Sequence, residues 1–281
     1  LGSCTLNVGY RPGRKDLWLV SFHGAVVRSR RKTPVVGTDP NFAPQFSRLA
    51  IADPVLDEFE ELQNGFYLGS KDSHIAPAIR ELVASIHQTV APKSVVFFGG
   101  SSGGYAALRF AAMNAGVKVL AVNPQTDPSR FHGNAFRKYV DMVWGGNLPA
   151  ELQQSLDCGA LFASPANSTM GVVLQESSDA HHIAHHFAPF VTALGDSGLA
   201  RLLPVCFPWT GRGHRKLPLS SLTQWLEALA SPYARDSESL VGEFLEQTRL
   251  VDGSRTISDV EELGRINDRI VAHEGPGNFN A

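Results

Sequence analysis

The sequence predicts an α/β protein with a mostly parallel central sheet and helices on both of its faces. Between Leu17 and Val122, apolar runs alternate with segments of helical period, the rhythm of strand, crossover helix and parallel strand. Runs such as Leu17-Trp18-Leu19-Val20-Ser21-Phe22 are near-continuous rather than alternating, as strands buried on both faces are. Val95-Val96-Phe97-Phe98 leads straight into Gly99-Gly100-Ser101-Ser102-Gly103-Gly104 and a helix-forming stretch, Ala106 to Ala115, the form of a sharp strand-to-helix turn.

The chain can bury a sizeable core: 281 residues, 43% of them hydrophobic, suit one α/β domain with some decoration. A formal charge of −2 and a pI near 6.6 create no field that would draw nucleic acid or an anionic membrane. Three cysteines, Cys4, Cys158 and Cys206, match neither a disulfide framework nor a zinc ligand set, so a reducing, cytoplasmic compartment is expected. No apolar run reaches the roughly 20 residues of a membrane helix. The chain opens Leu1-Gly2-Ser3 rather than with Met, which leaves room for an upstream domain.

In chain order, Thr5 to Tyr10 reads as a first strand, and Arg11-Pro12-Gly13 as the turn into Leu17–Phe22. Val26 to Gln45, with Arg28, Arg30, Arg31 and Lys32 followed by prolines, reads as an exposed loop. Its cations are expected to be solvated, or to receive an acidic group of a substrate. Leu49 to Ala52 makes a short buried strand before Asp53-Pro54, and Gly65 to Gly69 is expected on the rim of a site. Ile75 to Val90 places Ile79, Leu82, Val83 and Ile86 on one helical face. After the Ser101 turn and its helix, Val117 to Val122 is the next strand and ends in Asn123-Pro124-Gln125.

From Thr126 to Met170 the alternation breaks. Helices near Phe136–Trp144 and Ala150–Leu156 are expected there, with Phe131, Tyr139, Met142, Val143 and Trp144 either lining a pocket or anchoring the segment. Gly171 to Leu174 is a strand, and Gln175-Glu176-Ser177-Ser178-Asp179 the loop at its carboxyl end. In Ala180-His181-His182-Ile183-Ala184-His185-His186, the pairs His181/His185 and His182/His186 stand four residues apart and could share a metal on a helix. A third ligand is missing from the spacing, so no metal or other cofactor is expected and the histidines are placed on a helix surface. Leu202 to Phe207 is the last strand, Pro208 to His214 a glycine-containing loop, and Leu217 to Leu229 the closing helix. Two polar amphipathic segments follow, near Ser237–Leu250 and Ile257–His273, and could bind a protein partner.

The Ser101 turn carries the chemistry. A serine between a strand and a helix sits in strained backbone geometry with its hydroxyl exposed, and only small residues fit two positions to either side. Gly99 and Gly103 flank Ser101 in this way, and Gly100 and Gly104 flank Ser102. The Ser101 register is favoured because it puts Gly99 directly after the strand and Gly104 where helix and strand approach closely. Ser102 would then lend its backbone N–H to the site. A phosphate loop is the competing reading, but neither Gly-Lys-Ser/Thr nor Gly-x-Gly-x-x-Gly is present.

Gly-x-Ser-x-Gly-Gly followed by Tyr105-Ala106-Ala107-Leu108 resembles the nucleophile elbow of the α/β-hydrolase superfamily, and of its esterase-like members in particular. The resemblance covers about residues 5 to 230. It implies a catalytic domain over residues 1–230, a lid-like insertion over 126–170 and a helical extension over 231–281. His23-Gly24-Ala25 after the second strand resembles the loop that supplies the other oxyanion N–H, from Gly24 or Ala25, with His23 structural. The family's acid lies a few residues past a strand, which suits Asp179 better than Glu176, and Gly211-Arg212-Gly213-His214 after the last strand resembles the loop of its general base. The implied activity is cleavage of a carboxylic ester or thioester, on a small molecule or a glycan, through an acyl-enzyme on Ser101. Acyl transfer on the same triad and a non-catalytic binding or assembly role remain open beside it.

Overall fold

The computed structural model describes residues 4–36, 39, 41–131, 133–164 and 166–251. Seven strands, β1 Val8–Arg11, β2 Arg14–Phe22, β3 Phe46–Ile51, β4 Ser94–Gly100, β5 Lys118–Val122, β6 Met170–Glu176 and β7 Leu202–Phe207, form one sheet in the order β1-β3-β2-β4-β5-β6-β7. Only β1, on β3, is antiparallel, and every other pairing is parallel. The helices are α1 Val55–Glu58, α2 Ile75–Val90, α3 Ser102–Met113, α4 Ala135–Trp144, α5 Ala150–Gln154, α6 Cys158–Ala163, α7 Ala180–His182, α8 Ala188–Leu199, α9 Leu219–Ala230 and α10 Ser237–Val251.

Alternate residues of the central strands feed two cores. Val20, Phe22, Val95, Phe97 and Val119 pack under α2, α3, α6 and α8, whereas Leu19, Val96, Leu120 and Val172 pack under α9 and α10. Being apolar on both faces is why these strands read as continuous runs. The α2 stripe of Ile75, Ile79, Val83 and Ile86 is buried, at roughly 1.5–3 kcal/mol for each side chain. On the other face the Trp225 and Phe244 rings stack at 3.7 Å, which seats α10 on α9. The Ile257–His273 segment lies outside the described residues.

Residues 126–170 contain a 3-10 turn, Pro128–Arg130, then α4, α5 and α6. The last of these was not expected from the sequence; its Asp157 cap accepts the Gly159 N–H at 2.8 Å. Tyr139 and Val143 are buried and anchor the segment to the core: Tyr139 donates to the Gly69 carbonyl at 2.7 Å and accepts from Trp144 Nε1 at 2.7 Å. Two other expectations are corrected. Phe66 and Tyr67 of the Gly65–Gly69 segment are core residues rather than rim residues. Arg28 is not solvated, because its guanidinium donates to the carbonyls of Leu62, Leu56 and Phe59.

The strand order also decides where a site can form. From β2 the chain moves outward to β3, whereas from β4 it moves the other way to β5, β6 and β7. The loops leaving β2 and β4 therefore diverge, and a crevice opens at the carboxyl ends of these strands.

Candidate active site

Two loops meet at that crevice. Ser101 follows β4 with φ 56° and ψ −124°, a left-handed conformation that costs an L-residue about 1–3 kcal/mol. Its N–H donates to the Val122 carbonyl at 3.0 Å and its carbonyl accepts from Gln125 N–H at 3.2 Å, so the neighbouring β5 loop holds the turn. The surrounding glycines explain why the turn can close. A Cβ on Gly99 would lie 2.1 Å from the Gly103 carbonyl oxygen, and one on Gly103 would lie 2.3 Å from that of Phe22. At Gly100 the nearest atom would be 3.5 Å away, so the tight pair flanks Ser101. Ser102 is instead the first residue of α3 and 1% exposed.

The β2 loop lies against this turn, since a Cβ on Gly24 would be 3.7 Å from Ser101 Cβ. His23 fixes the loop: its N–H donates to Tyr67 Oη at 2.9 Å, and its Nε2 accepts the Asp53 N–H at 3.2 Å. That acceptor role leaves the proton on Nδ1, which donates to the Gly24 carbonyl at 2.7 Å. Burial holds the His23 pKa below its ordinary value, in keeping with a neutral structural imidazole. Among the described residues, the N–H groups of Gly24, Ala25 and Ser102 have no hydrogen-bond acceptor. A first-turn N–H such as that of Ser102 has no intrahelical partner by construction of the helix.

Asp179 and His214 meet beyond β6 and β7. His214 Nδ1 donates to Asp179 Oδ2 at 2.9 Å, while the Asp179 side chain is 8% exposed and that of His214 40%. No hydrogen bond among the described residues joins Ser101 to His214, so the structure brings acid and imidazole together and leaves the serine as a separate partner of the crevice. Burial raises the Asp179 pKa, but His182, through its charge and backbone N–H, and His214 more than offset this, so the carboxyl titrates below its ordinary value.

Three contributors escaped the sequence reading. The first is His182, whose Nδ1 donates to the same Asp179 oxygen at 3.0 Å and whose ring stacks on His214 at 4.2 Å. Asp179 Oδ1 also accepts the His182 N–H at 3.2 Å. The histidine run is therefore not a surface feature, which corrects the expectation: His182 and His186 are 2% and 0% exposed. A π-helical turn over Ile183–Phe187 breaks the simple helix register, and His185 stays outside. Burial, with the neighbouring histidines, lowers the pKa of His182 to about 4 and of His186 to about 3, so both are neutral near pH 7.

The second is Glu176, the last residue of β6 rather than part of a loop, and fully buried. Its Oε2 accepts from Trp209 N at 3.1 Å, Thr210 N at 2.9 Å and Thr210 Oγ1 at 3.2 Å. Its Oε1 accepts from Ser178 N at 3.4 Å and Ser178 Oγ at 3.2 Å. Desolvation pushes its pKa up, but the N–H groups of Thr210, Trp209 and Ser178 outweigh it and the net shift is downward. Since Ser178 Oγ accepts the Gly213 N–H at 2.7 Å, Glu176 ties the acid loop to the His214 loop. The third is Asn123, at φ 43°, which accepts the Glu176 N–H at 2.7 Å and donates to the Arg215 carbonyl at 3.0 Å. Asparagine tolerates this left-handed region better than most residues, and the Asn123-Pro124-Gln125 corner was its only sequence signal.

Donor atoms of Asp179, His182 and His214 lie within 4.8 Å of one another, the one such group among the described residues. Both imidazole Nδ1 atoms already donate to Asp179 Oδ2. A cation there would have to displace both protons, and the chemistry of the set is that of a hydrogen-bonded carboxylate rather than of an open ligand shell.

No protein-family model and no curated protein matches the chain. Among solved structures it is similar to the capsule O-acetyltransferase of Neisseria meningitidis serogroup A, at 8% identity and a TM-score of 0.52, over 88% of this chain and 90% of that one. A mutant of that enzyme in complex with CoA gives 9% identity and a TM-score of 0.53, over 88% and 91%. A Mycobacterium tuberculosis puromycin-hydrolyzing peptidase gives 16% identity and a TM-score of 0.51, over 80% of this chain but 34% of that one. Likeness at such identities is one of fold, and with the mostly parallel seven-stranded sheet it gives this chain an α/β-hydrolase-like fold.

Proposed function

We propose that the chain is a serine-dependent enzyme of acyl esters or thioesters. Ser101 Oγ attacks the acyl carbonyl and His214 Nε2 takes its proton. Asp179 holds the imidazole with its proton on Nδ1 and stabilises the imidazolium that forms. The oxyanion accepts N–H bonds from Ser102 and from Gly24 or Ala25, each such donor contributing about 3 kcal/mol to lowering the barrier. Collapse expels the alcohol or thiol, which takes the proton from His214, and leaves Ser101 acylated. Water then releases the acid. The observation that carries the reading is the left-handed Ser101 at the crevice beside free N–H groups, with a carboxylate–imidazole pair on the same carboxyl edge of the sheet.

A hydroxyl acceptor in place of water would make the chain an acyltransferase. That second reading draws support from the capsule O-acetyltransferase, a protein of similar fold that this chain matches over nearly its whole length. Fluorophosphonate labelling followed by peptide mass spectrometry tests the common part, with label expected on Ser101. Label on Ser102 would overturn the register, and absence of label would point to a non-catalytic binding protein. Turnover of p-nitrophenyl acetate with and without added sugar acceptors then separates hydrolysis from transfer.

A further inference from the structure

Arg109 lies on α3 eight residues beyond Ser101, about 12 Å along the helix axis. It is 2% exposed, yet no carboxylate pairs with it among the described residues. Its one hydrogen bond runs from Nη2 to Ser155 Oγ at 3.2 Å, and Nε and Nη1 have no acceptor. A guanidinium keeps its proton in proteins, and removing an unpaired charge from water costs several kcal/mol. The Phe110 ring, 5.5 Å from the guanidinium carbon, offsets part of that cost, but no anion among the described residues offsets the rest.

The same side chain lines a cleft of about 400 Å³, within the size range of ligand sites. One wall is the start of α2, a helix of 16 residues whose N-cap, His74, makes no side-chain cap bond. The N–H groups of Ile75 and Ala76 are thus left to face an acceptor at the positive end of the helix dipole. Lys71 adds a second cation, and Glu151 is the one carboxylate of the lining. Most of the remaining wall is apolar, with Leu68, Trp144, Pro149 and Leu152 prominent. A cationic residue buried behind apolar walls suits a ligand that carries one oxyanion on a hydrocarbon body.

We infer that the cleft between α2, α4 and α5 binds an amphipathic oxyanion, a carboxylate or phosphate on an apolar body, with Arg109 as its charge partner. This site is separate from the Ser101 crevice and does not rest on Ser101 being a nucleophile.

Isothermal titration of the whole chain with octanoate, octyl phosphate, octanol and inorganic phosphate tests it, with Ser101→Ala run in parallel. Octanoate or octyl phosphate should bind, the tighter of the two naming the head group. Octanol and inorganic phosphate should each bind at least about tenfold more weakly, a difference of about 1.4 kcal/mol. Arg109→Met should lose the same factor without a lower Tm, since an unpaired buried cation is being replaced by an apolar side chain of similar size. Ser101→Ala should bind like the wild type. Equal binding of octanol and octanoate, or unchanged octanoate affinity in Arg109→Met, would overturn the assignment. Should Arg109→Met not fold, Lys71→Glu provides the second arm: it should weaken octanoate several-fold, and an unchanged affinity there would equally overturn it.

Discussion

Glu176→Gln tests whether the acid and histidine loops are held as one unit. The carboxylate accepts from Trp209 N, Thr210 N and Thr210 Oγ1 on one oxygen and from Ser178 N and Oγ on the other. An amide can keep its carbonyl toward Trp209 and Thr210, but its NH2 group then meets the Ser178 N–H, donor against donor. Bonds to a charged acceptor contribute about 1.5–3 kcal/mol each and neutral ones about 1, and a buried donor left unpaired costs about 1–3 kcal/mol more. The expected loss is roughly 3 kcal/mol. For a chain of this size that lowers Tm by roughly 5–10 °C. Because the same loop carries His214, kcat/KM should fall on the order of a hundredfold even where the protein remains folded. The folded pKa of Glu176 lies below its ordinary 4.5; a depressed acid stabilises above its unfolded pKa and ceases to as pH falls through the folded one. The Tm difference between wild type and Glu176→Gln should therefore be full near pH 7 and shrink below about pH 4.5. Differential scanning calorimetry across pH with ester turnover measures both. A Gln variant with wild-type Tm and wild-type turnover would refute the reasoning.

Asp179→Asn and His214→Ala should each cost several orders of magnitude in turnover, and the double variant little more than the worse single one, because they act through one hydrogen bond; losses that simply multiply would count against a triad. His182→Phe keeps a ring against His214 but leaves Asp179 Oδ2 to one imidazole, so the acid limb of the kcat/KM profile should move to higher pH; an unmoved limb would reduce His182 to packing. EDTA should leave turnover unchanged, since both Nδ1 atoms near Asp179 are engaged as donors, and activity lost to chelation and restored by zinc would show the contrary.

The sheet was legible because burial on both faces writes itself as continuous apolar runs, and α2 because one-sided burial writes itself at helical spacing. Ser101, Asp179 and His214 stood out for a related reason: each follows a strand within a short loop, so sequence position and spatial position nearly coincide. Glu176 did not, because ending β6 at Leu174 turned a buried strand residue into an apparent loop residue. His182 and His186 were misplaced because two histidine pairs at the same spacing say nothing of which pair faces inward, and a π turn changes the register besides. Arg28 and Arg109 escaped because arginines bonded to carbonyls, or buried without a carboxylate, have the same local sequence context as solvated ones.

The backbone of Ser101 sets the interests of stability and of chemistry against each other at a single residue. At φ 56° glycine is at ease and serine is not, so Ser101→Gly should be about 1 kcal/mol more stable than the wild type while lacking the hydroxyl proposed as the nucleophile. Selection for thermal resistance alone, in a directed library or along a lineage that no longer uses the reaction, would drift toward glycine here. A comparison of Ser101→Gly with Ser101→Ala in a melting assay would measure what the left-handed backbone costs at this position.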